Sequence, residues 1–492
     1  MKKIKLILDK TELEYETYAL LTSFFPKTEV VTKVDETEFD GTMTVETGEK
    51  ERVSLEISFE EYGCRKDLSL PLKNGEFDKK GFGILIYDFL KEVTGLELPW
   101  GNLTGIRPTK LIRTFLEEEA DKSGLPVTAK EVSDKVRERA YNERRLSGEK
   151  LDTGIEIALR EKAIINELNG TDGYSVYIGI PFCPSTCLYC SFTSNPVFKY
   201  KKVMKDYLEC LKKELLWTAE NMQNVKLDTV YIGGGTPTTL EPEELDELLS
   251  NVTTILPWSN VKEFTVEAGR ADSITREKLE VLRKYPVTRI SVNPQTMSDE
   301  TLKRIGRNHT TEDVREKFRM ARELGFDNIN MDIILGLPGE ETTDVKHTID
   351  EIVKLSPDSL TVHSLAIKRA SKLKKWMDEN DIEITMDYEE AMKISGKGAK
   401  SMGLKPYYLY RQKQMAGNLE NTGFAAEGKF GLYNILIMEE VQSIVAIGAG
   451  SVSKRVFPDG RIERCDNVKD VGLYLEKIDE MIERKQVLFG DE

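Results

Sequence analysis

A chain of 492 residues exceeds what one hydrophobic core organises, so two or three domains are expected. The composition is globular, 39% hydrophobic and 32% charged, and 70 Lys plus Arg against 85 Asp plus Glu leave a net charge of −15, which argues against binding nucleic acid or an anionic membrane. No run approaches eighteen apolar residues, the length a membrane span needs, and six cysteines, three of them in one cluster, fit a reducing cytoplasm rather than a disulfide framework.

In chain order, residues 1–168 predict an N-terminal α+β accessory domain with a helical connector. Strand-like runs at 5–8, 42–46 and 53–59 precede helical runs at 80–93, 109–118 and 131–145. The first run reads as a strand rather than a leader, because charge returns at once and no small-residue cleavage site follows. The turn-rich loop 98–108 reads as a folded linker.

Residues 169–380 alternate β-branched runs (176–180, 229–232, 263–266, 289–292, 329–335 and 360–365) with amphipathic helical stretches (203–219, 241–249, 276–284, 312–324 and 342–355). Six βα units in a row imply parallel strands with right-handed crossovers, hence an α/β fold built on a partial (β/α)6 TIM-like barrel. Chemistry in such a fold gathers at the C-terminal strand ends. Residues 381–492 form an α+β extension that would cover the substrate. It holds a helix at 388–401, a strand-like run at 407–411, an apolar run at 431–438, the segment Ile447-Gly-Ala-Gly-Ser451 and a closing helix at 472–485.

After the first barrel strand comes Cys183-Pro-Ser-Thr-Cys187-Leu-Tyr-Cys190. Structural zinc needs four protein ligands, but His309, His347 and His363 are scattered and Cys64, Cys210 and Cys465 are isolated. Three thiols so close exceed what a catalytic nucleophile requires. They suit a four-iron cluster that is one ligand short, leaving one iron open to a substrate or cofactor.

This motif, followed after the second strand by Gly233-Gly-Gly-Thr-Pro237, resembles the radical S-adenosylmethionine (radical SAM) superfamily. The resemblance implies a [4Fe-4S] cluster on Cys183, Cys187 and Cys190 that binds and reductively cleaves S-adenosylmethionine. Further blocks are similar to the anaerobic coproporphyrinogen III dehydrogenases (oxygen-independent coproporphyrinogen III oxidases), in the HemZ-type branch: Val266-Glu-Ala-Gly-Arg270, Arg289-Ile-Ser-Val-Asn-Pro-Gln295, Ile305-Gly-Arg-Asn-His309 and Asn330-Met-Asp-Ile-Ile-Leu-Gly-Leu-Pro338. By position in such blocks, Tyr177, Tyr189, Gly234, Gly235, Thr236, Glu267, Gln295, Arg307, Asp332, Ala366 and Val452 fall where that family binds one or two S-adenosylmethionine molecules. Two positions depart from the pattern: Gly179 stands where many of these enzymes have His, and Phe192 where some carry a fourth cysteine.

The resemblance implies oxidative decarboxylation of two coproporphyrinogen III propionates to vinyl groups, giving protoporphyrinogen IX in heme biosynthesis. The implied partners are a tetrapyrrole substrate, an electron donor such as flavodoxin or ferredoxin and an unidentified terminal electron acceptor, acting on a cytoplasmic monomer. The basic run Lys368-Arg-Ala-Ser-Lys-Leu-Lys-Lys375, with Arg411 and Lys413, is a candidate for steering propionates. Two alternatives share the scaffold: a heme chaperone and an anaerobic heme-degrading radical methyltransferase. Chaperone relatives carry a His-Asn-x-x-Tyr-Trp motif, where this chain reads Tyr433-Asn-Ile-Leu-Ile437.

Overall fold

The computed structural model describes residues 2–26, 28–32, 38–48, 52–73, 76–105, 107–190, 194–366, 372–380, 382, 386–411 and 419–490. They divide into two compact units, Met1–Leu159 with Arg411–Glu420 and Arg160–Tyr410 with Asn421–Glu492.

The first unit carries strands β1 (Lys3–Leu8), β2 (Glu29–Val31), β3 (Gly41–Thr47), β4 (Arg52–Phe59) and β5 (Tyr62–Ser69) in the order β2-β1-β3-β4-β5. On β4 the alternation buries Val53, Leu55, Ile57 and Phe59 on one face. That face packs with Phe82, Ile86 and Phe89 of the helix Lys79–Thr94. The loop at 98–108 does more than link: Trp100 is fully buried and its Nε1 donates to Glu420 at 2.7 Å.

The second unit is built on an eleven-stranded sheet. Its six central parallel strands, in chain order, are β6 (Gly173–Ile180), β9 (Lys226–Gly234), β10 (Glu263–Gly269), β11 (Arg289–Val292), β12 (Ile329–Leu335) and β13 (Ser359–Ser364). Between β6 and β9 lie two short strands, β7 (Phe182–Cys183) and β8 (Asn195–Pro196). The expected partial (β/α)6 barrel is present, and nearly every residue of its strands is buried, as parallel strands covered on both faces require. Helices on the outside start on sequence-encoded caps. Thr310 and Asp313 form a capping box for Thr311–Glu323, and Glu241 and Glu244 form one for Pro242–Ile255 with Pro242 at its first turn.

The C-terminal residues extend both edges of this sheet. Strands β14 (Lys405–Tyr410) and β15 (Asn421–Ala425) add antiparallel beyond β13. Strand β16 (Ser443–Ile447) adds parallel beside β6, with Ala446 opposite Tyr177, and is followed by antiparallel β17 (Val452–Val456) and β18 (Ile462–Asp466). A seventh parallel strand therefore comes from the far end of the chain. The apolar run at 431–438 is the helix Leu432–Glu439, whose Leu432 and Tyr433 N–H groups donate to the buried Glu263 carboxylate. No helix among the described residues is long and apolar enough to cross a membrane.

Candidate active site

The cysteine loop is held from three sides. Cys183 sits on β7 directly after β6, and Thr236, past the end of β9, donates its N–H to Phe182 O at 2.8 Å and its hydroxyl to Cys183 Sγ at 3.5 Å. Arg270, past the end of β10, donates to Ser185 O at 2.8 Å, reaches Cys187 Sγ at 3.4 Å and pairs with Asp272 at 2.7 Å. Leu188 N donates to Ile305 O, and Ser185 Oγ to Gly306 O. Cys183 and Cys187 are buried, and Cys190 is half-buried.

Burial pushes the Cys183 thiol up to about 11, with the Thr236 hydroxyl opposing the shift. A thiol in that setting ionises when a metal centre compensates its charge. Among the described residues no three His, Cys, Asp or Glu side chains lie close enough to share one metal ion. In a four-iron cluster each thiolate takes its own iron, so three thiols on one loop would leave the fourth iron without a protein ligand.

Gly235 brings backbone against this loop where a side chain would intrude, while Gly233 lies against Tyr231 and Glu267 and Gly234 against Ile180 and Tyr177. A Cβ on Gly235 would stand 2.5 Å from Phe182 O and 3.0 Å from Cys183 Sγ. Gly234 has φ +109°, a conformation L side chains rarely adopt. Of the three glycines, Gly235, just past the end of β9, is thus the one that makes the close approach to the cysteine loop.

From the cysteines a polar belt runs across the strands. Each parallel strand presents one partly accessible side chain at or near its C-terminal end between buried neighbours: Tyr177, Tyr231, Glu267, Asn293 just past β11, Asp332 and His363. Tyr177 opposes Tyr231 in register, and their rings stack at 6.1 Å. Tyr433 stacks on Tyr231 at 4.5 Å and on Tyr177 at 6.2 Å. The Tyr231 hydroxyl donates to Glu267, and burial of Glu267 pushes its carboxyl up to about 7. Asp332 accepts from Asn330 Nδ2 at 2.7 Å and lies 3.9 Å from His363 Nε2.

Gln295 has φ +67°, unusual for a residue with a side chain. Two backbone bonds clamp it there: Gln295 N donates to Asp332 O, and Ile334 N to Gln295 O, both at 2.9 Å. Its Oε1 is buried without a hydrogen-bond partner among the described residues, as is Arg307 Nε. Arg307 otherwise donates to Asn293 O at 2.7 Å and to Tyr189 Oη at 3.1 Å. Buried polar groups of this kind fit a ligand that completes them.

Nine of the eleven expected cofactor positions therefore fall in this network: Tyr177, Tyr189, Gly234, Gly235, Thr236, Glu267, Gln295, Arg307 and Asp332. Ala366 lies two residues past β13 and is half-buried, while Val452 opens β17 and is exposed. Sequence reasoning passed over Tyr231, Arg270, Asn293, His363 and Tyr433. The period-two alternation of a strand, counted from Tyr177 through its register partner, would have found Tyr231. At Gly179 a Cβ would meet Ile447 O and Tyr177 Cε1 at 3.4 Å, and Gly179 O already accepts from Tyr207 Oη at 2.7 Å.

Among the propionate candidates, Arg411 is buried and donates to Leu103 O, so it is spent within the first unit. Lys374 and Lys375 pair with Asp378 and Glu379 along their own helix. Phe192, Lys413 and residues 368–371 of the basic run lie outside the described residues.

The Radical SAM superfamily model matches residues 177–352. The solved structure of coproporphyrinogen III oxidase (HemN) from Escherichia coli superposes with a TM-score of 0.51 at 18% identity, over 68% of this chain and 74% of that one. Fold and sequence together define a radical SAM protein, a class that works with a [4Fe-4S] cluster and S-adenosylmethionine. The chain is 41% identical over 414 residues to the oxygen-independent coproporphyrinogen-III oxidase-like protein HemZ of Bacillus subtilis, covering 83% of this chain and 80% of that protein. It is 36% identical to the heme chaperone HemW of the same organism, over 44% of this chain and 57% of that one. The chain belongs to the HemZ-type family of oxygen-independent coproporphyrinogen-III oxidase-like proteins.

Proposed function

We propose that this chain is a radical SAM oxidoreductase of the cytoplasm that converts two propionates of coproporphyrinogen III to vinyl groups, giving protoporphyrinogen IX. The observation that carries the reading is the cradle in which Gly235 lies against Cys183 while Glu267, Gln295 and Arg307 present a half-buried carboxylate and two unpartnered polar atoms along the same barrel rim. Cys183, Cys187 and Cys190 would hold the cluster. The backbone at Gly234 and Gly235, with Glu267, would hold the methionine and ribose parts of S-adenosylmethionine, and Tyr177, Tyr189, Thr236, Gln295, Arg307, Asp332, Ala366 and Val452 would complete the cofactor contacts.

When bound, the reduced cluster and S-adenosylmethionine supply a 5′-deoxyadenosyl radical, an acceptor for one hydrogen atom. Removing that hydrogen from a propionate β-carbon, losing carbon dioxide and passing one electron to a one-electron acceptor leaves the vinyl group. This chain's own side chains supply placement and exclusion of water. The stacked Tyr177, Tyr231 and Tyr433 give the barrel interior an apolar, rigid wall, and Arg270 and Thr236 direct hydrogen bonds at the thiolate sulfurs. Tyr433, which occupies the histidine position of the chaperone motif, is packed into that wall and offers no imidazole to heme iron.

The test is an anaerobic reaction of the reconstituted protein with a reductant, S-adenosylmethionine and either coproporphyrinogen III or heme. Vinyl tetrapyrrole with carbon dioxide supports the reading. A ring-opened, methylated tetrapyrrole, or tight heme binding without cofactor cleavage, would replace it with the methyltransferase or the chaperone.

A further inference from the structure

We propose that the exposed basic segment 198–205, beside the cysteine loop, is the docking surface for an acidic one-electron carrier protein. The proposal rests on the reading that Cys183, Cys187 and Cys190 hold a cluster. The segment reads Phe198-Lys-Tyr-Lys-Lys-Val-Met-Lys205: four cations and no carboxylate in eight residues of a chain whose net charge is −15. Lys199, Lys201, Lys202 and Lys205 are all exposed, and Phe198, at their edge, is 67% exposed. Among these lysines only Lys201 has an ion-pair partner in the described residues, Glu241 at 3.7 Å. The next carboxylates along the chain are Asp206 and Glu209.

Its position gives the patch a use. Strand β8 pairs with β7 so that Pro196 stands opposite Cys183, and Phe198 follows two residues later. The Tyr200 ring packs 5.5 Å from that of Phe182, the residue bonded to Cys183. A carrier seated on the patch would therefore reach the cysteine loop through a few packed side chains, without entering the barrel interior where the substrate belongs. A large exposed aromatic bordered by cations suits a small, transient interface, in which charge steers the encounter and one anchor fixes it. The occupant that these features fit is a protein with an acidic face, as flavodoxin-type carriers have.

The experiment reconstitutes the full chain and a K199E/K201E/K202E variant, then follows cluster bleaching by stopped flow with two reductants. One is flavodoxin hydroquinone, and the other is photoreduced deazaflavin, a small neutral reductant that needs no docking surface. Charge reversal should slow reduction by flavodoxin on the order of tenfold or more and flatten its salt dependence, leaving reduction by deazaflavin unchanged. A K199Q/K201Q/K202Q variant should fall between and guards against a folding defect in the reversal. Equal rates with flavodoxin overturn the proposal. So do equal losses with both reductants, or a loaded wild-type protein that flavodoxin does not reduce. A wild-type chain that takes up no cluster instead fails the reading on which the proposal rests.

Discussion

Tyr231 and Glu267 stand on adjacent parallel strands, and the Tyr231 hydroxyl donates to the Glu267 carboxylate, which the Gly234 N–H also supports. Burial outweighs both bonds, with the nearby Asp332 charge adding to it, so the carboxyl holds its proton up to about 7, above an ordinary value of 4.5. Cofactor ribose hydroxyls or an ammonium group favour the ionised form. Affinity for S-adenosylmethionine should therefore rise as pH rises from 6 to about 7, by up to about tenfold per unit, and then level off. Glu267→Gln should weaken binding and remove the slope. Isothermal titration across that range checks both effects. The sign for the cofactor-free chain is opposite: the folded state retains a proton that the unfolded state releases near 4.5, so this carboxyl costs stability as pH climbs from there through 7.

Gly235→Ala should lower the iron content of reconstituted protein sharply, because the added Cβ meets Phe182 O at 2.5 Å and Cys183 Sγ at 3.0 Å. Gly396→Ala is the matched control. That glycine lies within the helix Tyr388–Ser401 with nothing within 4 Å of a new Cβ, so the change should raise stability by up to about 1 kcal/mol and leave iron content alone. Iron and sulfide analysis with thermal melts distinguishes the two.

Lys485 and Glu214 form a fully buried pair at 2.5 Å, completed by Asn467, the Tyr474 hydroxyl and the Gly448 N–H. This network ties the helix Met204–Asn221 to the glycine turn after β16. Lys485→Met strands the carboxylate and should destabilise the chain by about 3–5 kcal/mol, whereas the paired Glu214→Gln, Lys485→Met change should recover much of that loss. Denaturant unfolding of the three proteins measures it.

The barrel was legible because parallel strands covered on both faces must be continuous apolar runs, and all six stood out between amphipathic helices. The runs set Gly234, Glu267 and Gln295 at or just past strand ends, whereas their expected part in holding a cofactor, and that of Asp332 within β12, came from the family resemblance. At the sheet edges the run at 407–411 is the outermost strand β14, but the strand beside it and the pairings there were not legible. Asn421–Ala425 is polar and carries Gly423, and it becomes a strand because its place is beside β13 with the Tyr408 ring over that glycine. The β16 pairing with β6 joins residues some 270 apart, which no local pattern reports. His363 resembled a scattered histidine until the register of β12 and β13 set it 3.9 Å from Asp332. Arg411 resembled an anion-steering cation, but tertiary packing gives it a backbone carbonyl instead.

The most direct test of the central claim uses coproporphyrinogen III deuterated at the propionate β-carbons, turned over anaerobically with S-adenosylmethionine and a reductant. Mass spectrometry of the 5′-deoxyadenosine should find one deuterium per molecule, with one carbon dioxide released for each. Replacing Cys183, Cys187 or Cys190 with Ala should abolish both products. Deoxyadenosine that carries no deuterium, or vinyl product formed by the cysteine-free protein, would contradict the account.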